Sequence, residues 1–378
     1  MHTFSQLDDA IQKSNAAAYV CYAPPNSPDM RYLTGFSGSD PLVCIKRPDE
    51  APLLIVPQME YDRACAETKC EVMTRGEAGF FHILEQRKDP RKALAEMIAT
   101  QVKGNLLVSS TFPLGLARDL EEHVAVHIDS GTLSTIRERK TKQEIDAIES
   151  VQRCTEKAFY RAVETIQTAT ARGTEFYLGE EPLTSEYLRR QIECDLLTQG
   201  CRAEETIVSC GKETGMPHCL GSGPLLLDEP ILMDIFPHDT TTGYYADMSR
   251  TVCRGTPSRE IGDLYNLVQE AKQLGTAMLR PGITGQEIHN AVVSFFEDAG
   301  HPTGEEGFTH SLGHGVGLAI HEGPSLSPSG GLLAPGNVVT IEPGLYYRDI
   351  GGVRLEDLAV VTEERCRLLT NCKEELCI

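Results

Sequence analysis

Hydrophobic and polar positions follow two regimes along this chain. In the first third, short apolar runs at 17–22, 41–45 and 52–57 read as strands covered on both faces. Phe4, Leu7 and Ile11 stand at helical spacing, and a helix over 91–101, a strand over 105–109 and a helix over 114–123 then alternate. APPNSPD, between the first two runs, reads as a loop, and MRYLTGFSGS at 30–39 as a strand and turn. The pattern is α/β. It holds no phosphate loop and no cluster of His or acidic residues, so it carries no chemistry of its own.

A turn-like break at 129–131 closes this part. A long helical pattern over 141–168 follows, with Ile145, Ile148, Val151, Ala158, Phe159, Ala162 and Ile166 on one face. The interval 169–182 contains Gly173, Gly179 and Pro182 and reads as a longer loop. Leu188, Ile192 and Leu196 restart a helix that ends at Gly200, a strand is expected over 205–209, and helices over 258–278 and 284–299. The chain therefore divides into an α/β domain at 1–132 and an α+β domain at 133–378.

The second domain contains two segments of similar layout. An apolar run at 231–233 delivers Asp234, a turn rich in Pro, Asp, Thr and Gly spans 237–243, and a second strand from Tyr244 onward carries Asp247. Later, 338–341 leads into Glu342, Pro343–Gly344 starts a connection, and a strand over 353–361 carries Glu356. The acids stand 13 residues apart in the first unit and 14 in the second. Two strand–turn–strand units, each presenting a carboxylate from both arms, read as an internal repeat aiming four carboxylates at one point. Carboxylates so close repel and resist desolvation unless a cation sits among them. Hard divalent ions take oxygen ligands, and paired ions stand about 3.5–4 Å apart.

THSLGHGVGLAIHEGP places His310, His314 and His321 among glycines, which excludes a zinc helix of the H-E-x-x-H kind. His218, in GMPHCLGSGP, precedes the first acidic unit in a loop of the kind that carries binding groups. His2, His82 and His289 have no such setting and read as structural.

Composition narrows the class. A net charge of −20 disfavours nucleic acid or an anionic membrane surface as partner. No apolar run approaches a membrane span, and MHTFSQLDDAIQKSN lacks the layout of a signal peptide, so a cytoplasmic location is expected. The 13 cysteines are scattered and form no C-x-x-C pair, which fits reduced thiols.

In order along the chain, MDIFPHDTTTGYYADMSRT, HSLGHGVGLAIHE, TIEPGLYY and GGVRLEDLAVVTE resemble the pita-bread metallopeptidases, which include methionine aminopeptidases, Xaa-Pro aminopeptidases and Xaa-Pro dipeptidases (prolidases). The Asp234–Asp247 interval is two residues longer than is common there, the excess falling in HDTTT. The resemblance implies that Asp234 chelates one metal, His314 and Glu342 the other, and that Asp247 and Glu356 bridge both. It implies Glu342 as proton shuttle, His218 and His321 as contacts to the substrate carbonyl or amide, His310 as a lining residue, and Arg354 as the group steadying a bridging carboxylate. YLTGFSG and the segment 52–64 resemble the accessory domain of the proline-directed branch and of creatinase, which methionine aminopeptidases lack. RERKTKQEI, at 137–145, likewise resembles the entry to the catalytic domain of the proline-directed members.

The expectation is a two-metal peptidase cutting after the residue that precedes proline. Manganese is the favoured ion because carboxylates with one imidazole suit it, with cobalt or zinc as substitutes. The substrate is a small peptide with proline in second position, and the implied assembly is a homodimer. An Xaa-Pro aminopeptidase is placed ahead of an Xaa-Pro dipeptidase. A non-catalytic peptide-binding version of the fold is the rival from another class, but such versions lose ligands and all five stand here.

Overall fold

The computed structural model describes residues 4–378 and separates them into a unit ending at Arg137 and a second, Glu138–Ile378. The break expected at 132/133 lies at the start of a short helix, Thr132–Glu138, just ahead of this division.

The first unit is built on strands β1 (Ala18–Ala23), β2 (Leu42–Lys46), β3 (Leu53–Val56), β4 (Glu71–Thr74), β5 (Leu106–Ser109) and β6 (Val126–Asp129), ordered β4-β3-β2-β1-β5-β6. β1 runs antiparallel to β2 and parallel to β5, so the sheet is mixed. Alternation assigns Ala18 and Val20 of β1 to one apolar layer and Tyr19 and Cys21 to the other, hence the unbroken apolar runs. Helices α1 (Ser5–Lys13), α2 (Pro28–Thr34), α3 (Tyr61–Glu67), α4 (Phe80–Arg87), α5 (Pro90–Val102), α6 (Leu114–Glu121) and α7 (Thr132–Glu138) complete it. Met30–Thr34, read as strand, is helical: Pro28 opens α2 at its first turn, Asp29 complements the helix dipole, and Gly35 closes it at φ 68.

In the second unit, α8 (Lys142–Thr168) begins with a capping box between Thr141 and Glu144. The interval read as a loop is a three-stranded meander of β7 (Thr170–Arg172), β8 (Glu175–Leu178) and β9 (Glu181–Pro182). Gly173 and Gly179, both at φ 64, make its two tight turns, so the glycines marked hairpins rather than loop. Next come α9 (Ser185–Thr198), β10 (Cys201–Arg202), β11 (Ile207–Cys210), β12 (Ile231–Ile235), β13 (His238–Asp239), β14 (Met248–Val252), α10 (Arg259–Met278) and α11 (Gly285–Asp298). The chain ends with β15 (Gly313–Gly315), β16 (Glu322–Leu326), β17 (Val338–Ile341), β18 (Gly344–Tyr347), β19 (Gly351–Arg354), β20 (Asp357–Val361) and β21 (Cys366–Leu368).

The repeat extends beyond the acids. Helices α8 and α9 share a core with β11, β12 and β14, while α10 and α11 share one with β17 to β20. Each helix pair covers one acidic unit on the side away from the carboxylates. Among the described residues, no helix is long and apolar enough to cross a membrane, and all 13 cysteines are unbonded.

Candidate metal centre

The four acids do not simply face one another across ladders. Asp234 lies within β12 opposite Ser249, and Asp247 just precedes β14, which starts at Met248 rather than Tyr244. Glu342 follows β17, and Glu356 sits between β19 and β20, where the chain leaves one sheet for another. The strand expected over 353–361 is thus two strands with different partners. That break turns Glu356 toward Asp247, and the Glu356 N–H donates to Ser249 O at 3.0 Å across the junction.

His314 arrives on β15 from between two glycines whose place no side chain could take. A Cβ at Gly313 would stand 2.1 Å from Thr340 O, and one at Gly315 2.2 Å from Gly323 O. Close backbone approach brings His314 Nε2 to 3.3 Å from Glu342 Oε1 and 3.5 Å from Asp247 Oδ2. Ligand atoms of Asp247, His314 and Glu356 all lie within 4.8 Å of one another.

Asp234, Asp247, His314, Glu342, Glu356, His218, His310, His321 and Arg354 all line one cavity of about 1130 Å³. Ile207, Phe236, Ile320 and Met216 add apolar wall. His314 and His321 stack edge to face at 4.3 Å. His82 is exposed in the first unit, His289 is buried and accepts Leu312 N at 3.2 Å, and His2 lies outside the described residues.

Burial first, then neighbouring acids, pushes the carboxyls of Asp247 and Glu356 well above the usual range. Burial would raise Glu342 as well, but the hydrogen bond and charge of His314, with His310 and Arg354, hold it down to about 2. Burial opposes charge on His314, and Glu342 outweighs it, so the imidazole sits above its ordinary value. Asp234 Oδ1 and Glu356 Oε1 are buried and make no hydrogen bond. Unsatisfied buried carboxylate oxygens are costly. A cation among them would remove both the repulsion and the orphaned acceptors, so the donor set fits a divalent metal site.

Arg354 differs from its expected part. Its Nη2 pairs with Asp234 Oδ2 at 2.6 Å, not with one of the two acids assigned as bridging. It reaches Glu356 only indirectly: Nε donates to Ser249 Oγ at 2.8 Å, and Ser249 Oγ donates to Glu356 Oε2 at 2.8 Å. Nη1 donates to the Tyr346 hydroxyl at 3.0 Å, which stands 2.9 Å from His310 Nε2. Since Ser311 O only accepts, His310 Nδ1 carries the proton that meets it at 2.7 Å. Tyr346, accepting from Arg354, gives its own proton to Nε2. Both nitrogens of His310 are thereby engaged, and the ring orients the chain rather than offering a free donor to the cavity. Its pKa is lowered, chiefly by burial, which agrees with a neutral ring.

Ser249 and Tyr346 escaped the sequence reading. Ser249 stands two residues after Asp247, and Tyr346 four after Glu342; in both cases the signal was a polar group an even number of positions from a candidate ligand.

The chain matches the metallopeptidase family M24 over residues 146–363 and the creatinase/prolidase N-terminal domain over residues 4–138. It is 30% identical to the Xaa-Pro dipeptidase of Pyrococcus furiosus over 90% of its own length and 91% of that protein. It is 28% identical to an uncharacterized peptidase of Bacillus subtilis, covering 93% of each chain. The solved prolidase from Pyrococcus furiosus superposes with a TM-score of 0.80 at 25% identity, over 97% of this chain and 99% of that one. The X-Pro aminopeptidase from Thermotoga maritima superposes with 0.80 at 24% identity, over 98% and 100%.

Proposed function

The chain belongs to metallopeptidase family M24, and from that premise we propose that it is an Xaa-Pro dipeptidase. The observation that carries the reading is the 30% identity to a dipeptidase across nearly the full length of both chains. The aminopeptidase likeness rests on fold alone. This reverses the order of the two activities inferred from the sequence.

In this proposal Asp234, Asp247, His314, Glu342 and Glu356 hold two divalent ions, most suitably manganese given four carboxylates and one imidazole. Bound there, the ions acidify a water to near neutrality and polarise the scissile carbonyl. Glu342 accepts the water's proton and returns it to the departing prolyl nitrogen. His321, whose pKa burial lowers, is an N–H donor to the carbonyl oxygen as charge grows on it, together with His218 of the same cavity. Arg354 keeps Asp234 oriented, and His310 and Tyr346 keep Arg354 oriented. Ile207, Phe236 and Ile320 exclude water around the proline ring. A homodimer is the assembly we propose, checked by light scattering.

One observation favours the second reading, removal of an N-terminal residue from longer Xaa-Pro peptides. Among the described residues, Arg354 is the one Lys or Arg lining the cavity, and it is already paired with Asp234. A dipeptide's prolyl carboxylate would rely on imidazoles. The test is turnover of Ala-Pro against Ala-Pro-Ala by metal-reconstituted enzyme. Cleavage of the dipeptide with little or none of the tripeptide is expected; preference for the tripeptide overturns the proposal.

A further inference from the structure

Beneath the metal site, on the side away from the cavity, lies a second buried charge cluster. Arg250 is 1% exposed, and every N–H of its guanidinium is used. Nε donates to Lys373 O at 3.3 Å. Nη1 donates to Ser249 O at 3.0 Å and Glu356 O at 2.5 Å. Nη2 donates to Asp357 Oδ1 at 2.6 Å and Cys372 O at 3.0 Å. Asp357 also pairs with Lys272, which in turn pairs with Glu374. Gln269 Nε2 closes the far end on Glu374 Oε2 at 3.1 Å.

Two of these contacts concern the metal site. Ser249 carries the hydroxyl that holds Glu356 Oε2, and Glu356 is itself a candidate ligand. A single guanidinium therefore pins the backbone carbonyls of both residues while anchoring the C-terminal segment around Cys372 and Lys373. None of Arg250, Asp357, Lys272 or Glu374 lines the cavity, so none can touch a peptide there.

We propose that Arg250, Asp357, Lys272 and the C-terminal segment form a brace that positions Glu356 for metal binding, with Arg250 as its positioning residue. A lysine at 250 would keep the charge but could not span both carbonyls and Asp357 at once. The proposal rests on the metal-site reading above, and the experiment separates the two. Mn²⁺ is titrated calorimetrically into metal-stripped wild type, Arg250→Lys and Glu374→Gln, with metal-free thermal melts and the visible spectrum of the Co²⁺-loaded proteins alongside.

Expected is Mn²⁺ affinity about 10- to 100-fold weaker in Arg250→Lys, in the range typical when a group supporting a ligand is removed. The Co²⁺ spectrum should shift, and kcat should fall more than KM rises. Glu374→Gln, at the outer end of the brace, should weaken Mn²⁺ by a few-fold with its metal-free melt close to wild type. Wild type binding no Mn²⁺ sinks the metal-site reading. Wild type binding with Arg250→Lys equal to it in affinity and spectrum sinks the brace alone. Should Arg250→Lys fail to fold, Glu374→Gln decides: unchanged affinity and spectrum overturn the brace.

Discussion

Glu356 and Asp357 are consecutive, equally buried and both acidic, yet they belong to opposite electrostatic worlds. Glu356 shares its surroundings with Asp234, Asp247 and Glu342, against which stands the charge of Arg354, and one of its oxygens has no partner. Its carboxyl is driven far up the pH scale. Asp357 meets Arg250 on one oxygen and Lys272 on the other, and although burial opposes its charge, those two cations hold its pKa below the usual value. The difference teaches what each cluster is for. One is balanced within the chain and complete; the other has surplus negative charge that only an added cation neutralises.

The comparison can be broken at its strongest point first. Glu342→Gln, which removes the proposed proton acceptor together with the charge that pairs with His314, should lower kcat by about 10²–10⁴-fold in steady-state assays. Full retained activity would remove Glu342 from the mechanism. Asp357→Asn, in metal-stripped protein, should cost about 3–5 kcal/mol in urea unfolding, because it leaves buried cations short of a partner. Asp247→Asn in the same stripped protein should be neutral or stabilising, since it relieves repulsion. Equal losses in the two variants would mean that both acids are balanced by partners within the chain.

pH sharpens it further. Asp247 and Glu356 bind protons more tightly folded than unfolded in the stripped protein. The stability they contribute is present below the ordinary carboxylate pKa of about 4 and is lost as pH rises through their raised native values. Asp357 has the opposite sign: its contribution is present above the ordinary value and is lost as pH falls through its depressed one. Melting temperature followed across pH, with and without Mn²⁺, should show a decline toward neutral pH only in stripped protein. The smallest effect is expected from Tyr346→Phe, which cuts the link from His310 to Arg354 and should lower kcat roughly tenfold with KM little changed.

Much of the candidate site was legible because its residues stand in short patterned segments. Asp234 ends an apolar run, Glu342 follows one, and His314 is framed by glycines that a neighbouring strand requires. The long helices were legible from apolar spacing and from caps such as Thr141 with Glu144. The meander of β7 to β9 was not, since strands of two to four residues carry too few positions to display a period. α2 was missed for a similar reason: at seven residues, its helical signal resides in Pro28, Asp29 and Gly35 more than in its apolar spacing.

By itself the sequence determined which side chains could bind a cation and which apolar runs Asp234 and Glu342 would close, because residue type and periodicity are local properties. Tertiary structure alone decided which charges meet. Arg354 finds Asp234 120 residues away, and Arg250 finds Asp357 107 residues away. Such pairings are set by how two helix-covered halves close on each other, and a buried charge takes whichever partner that closure puts within reach.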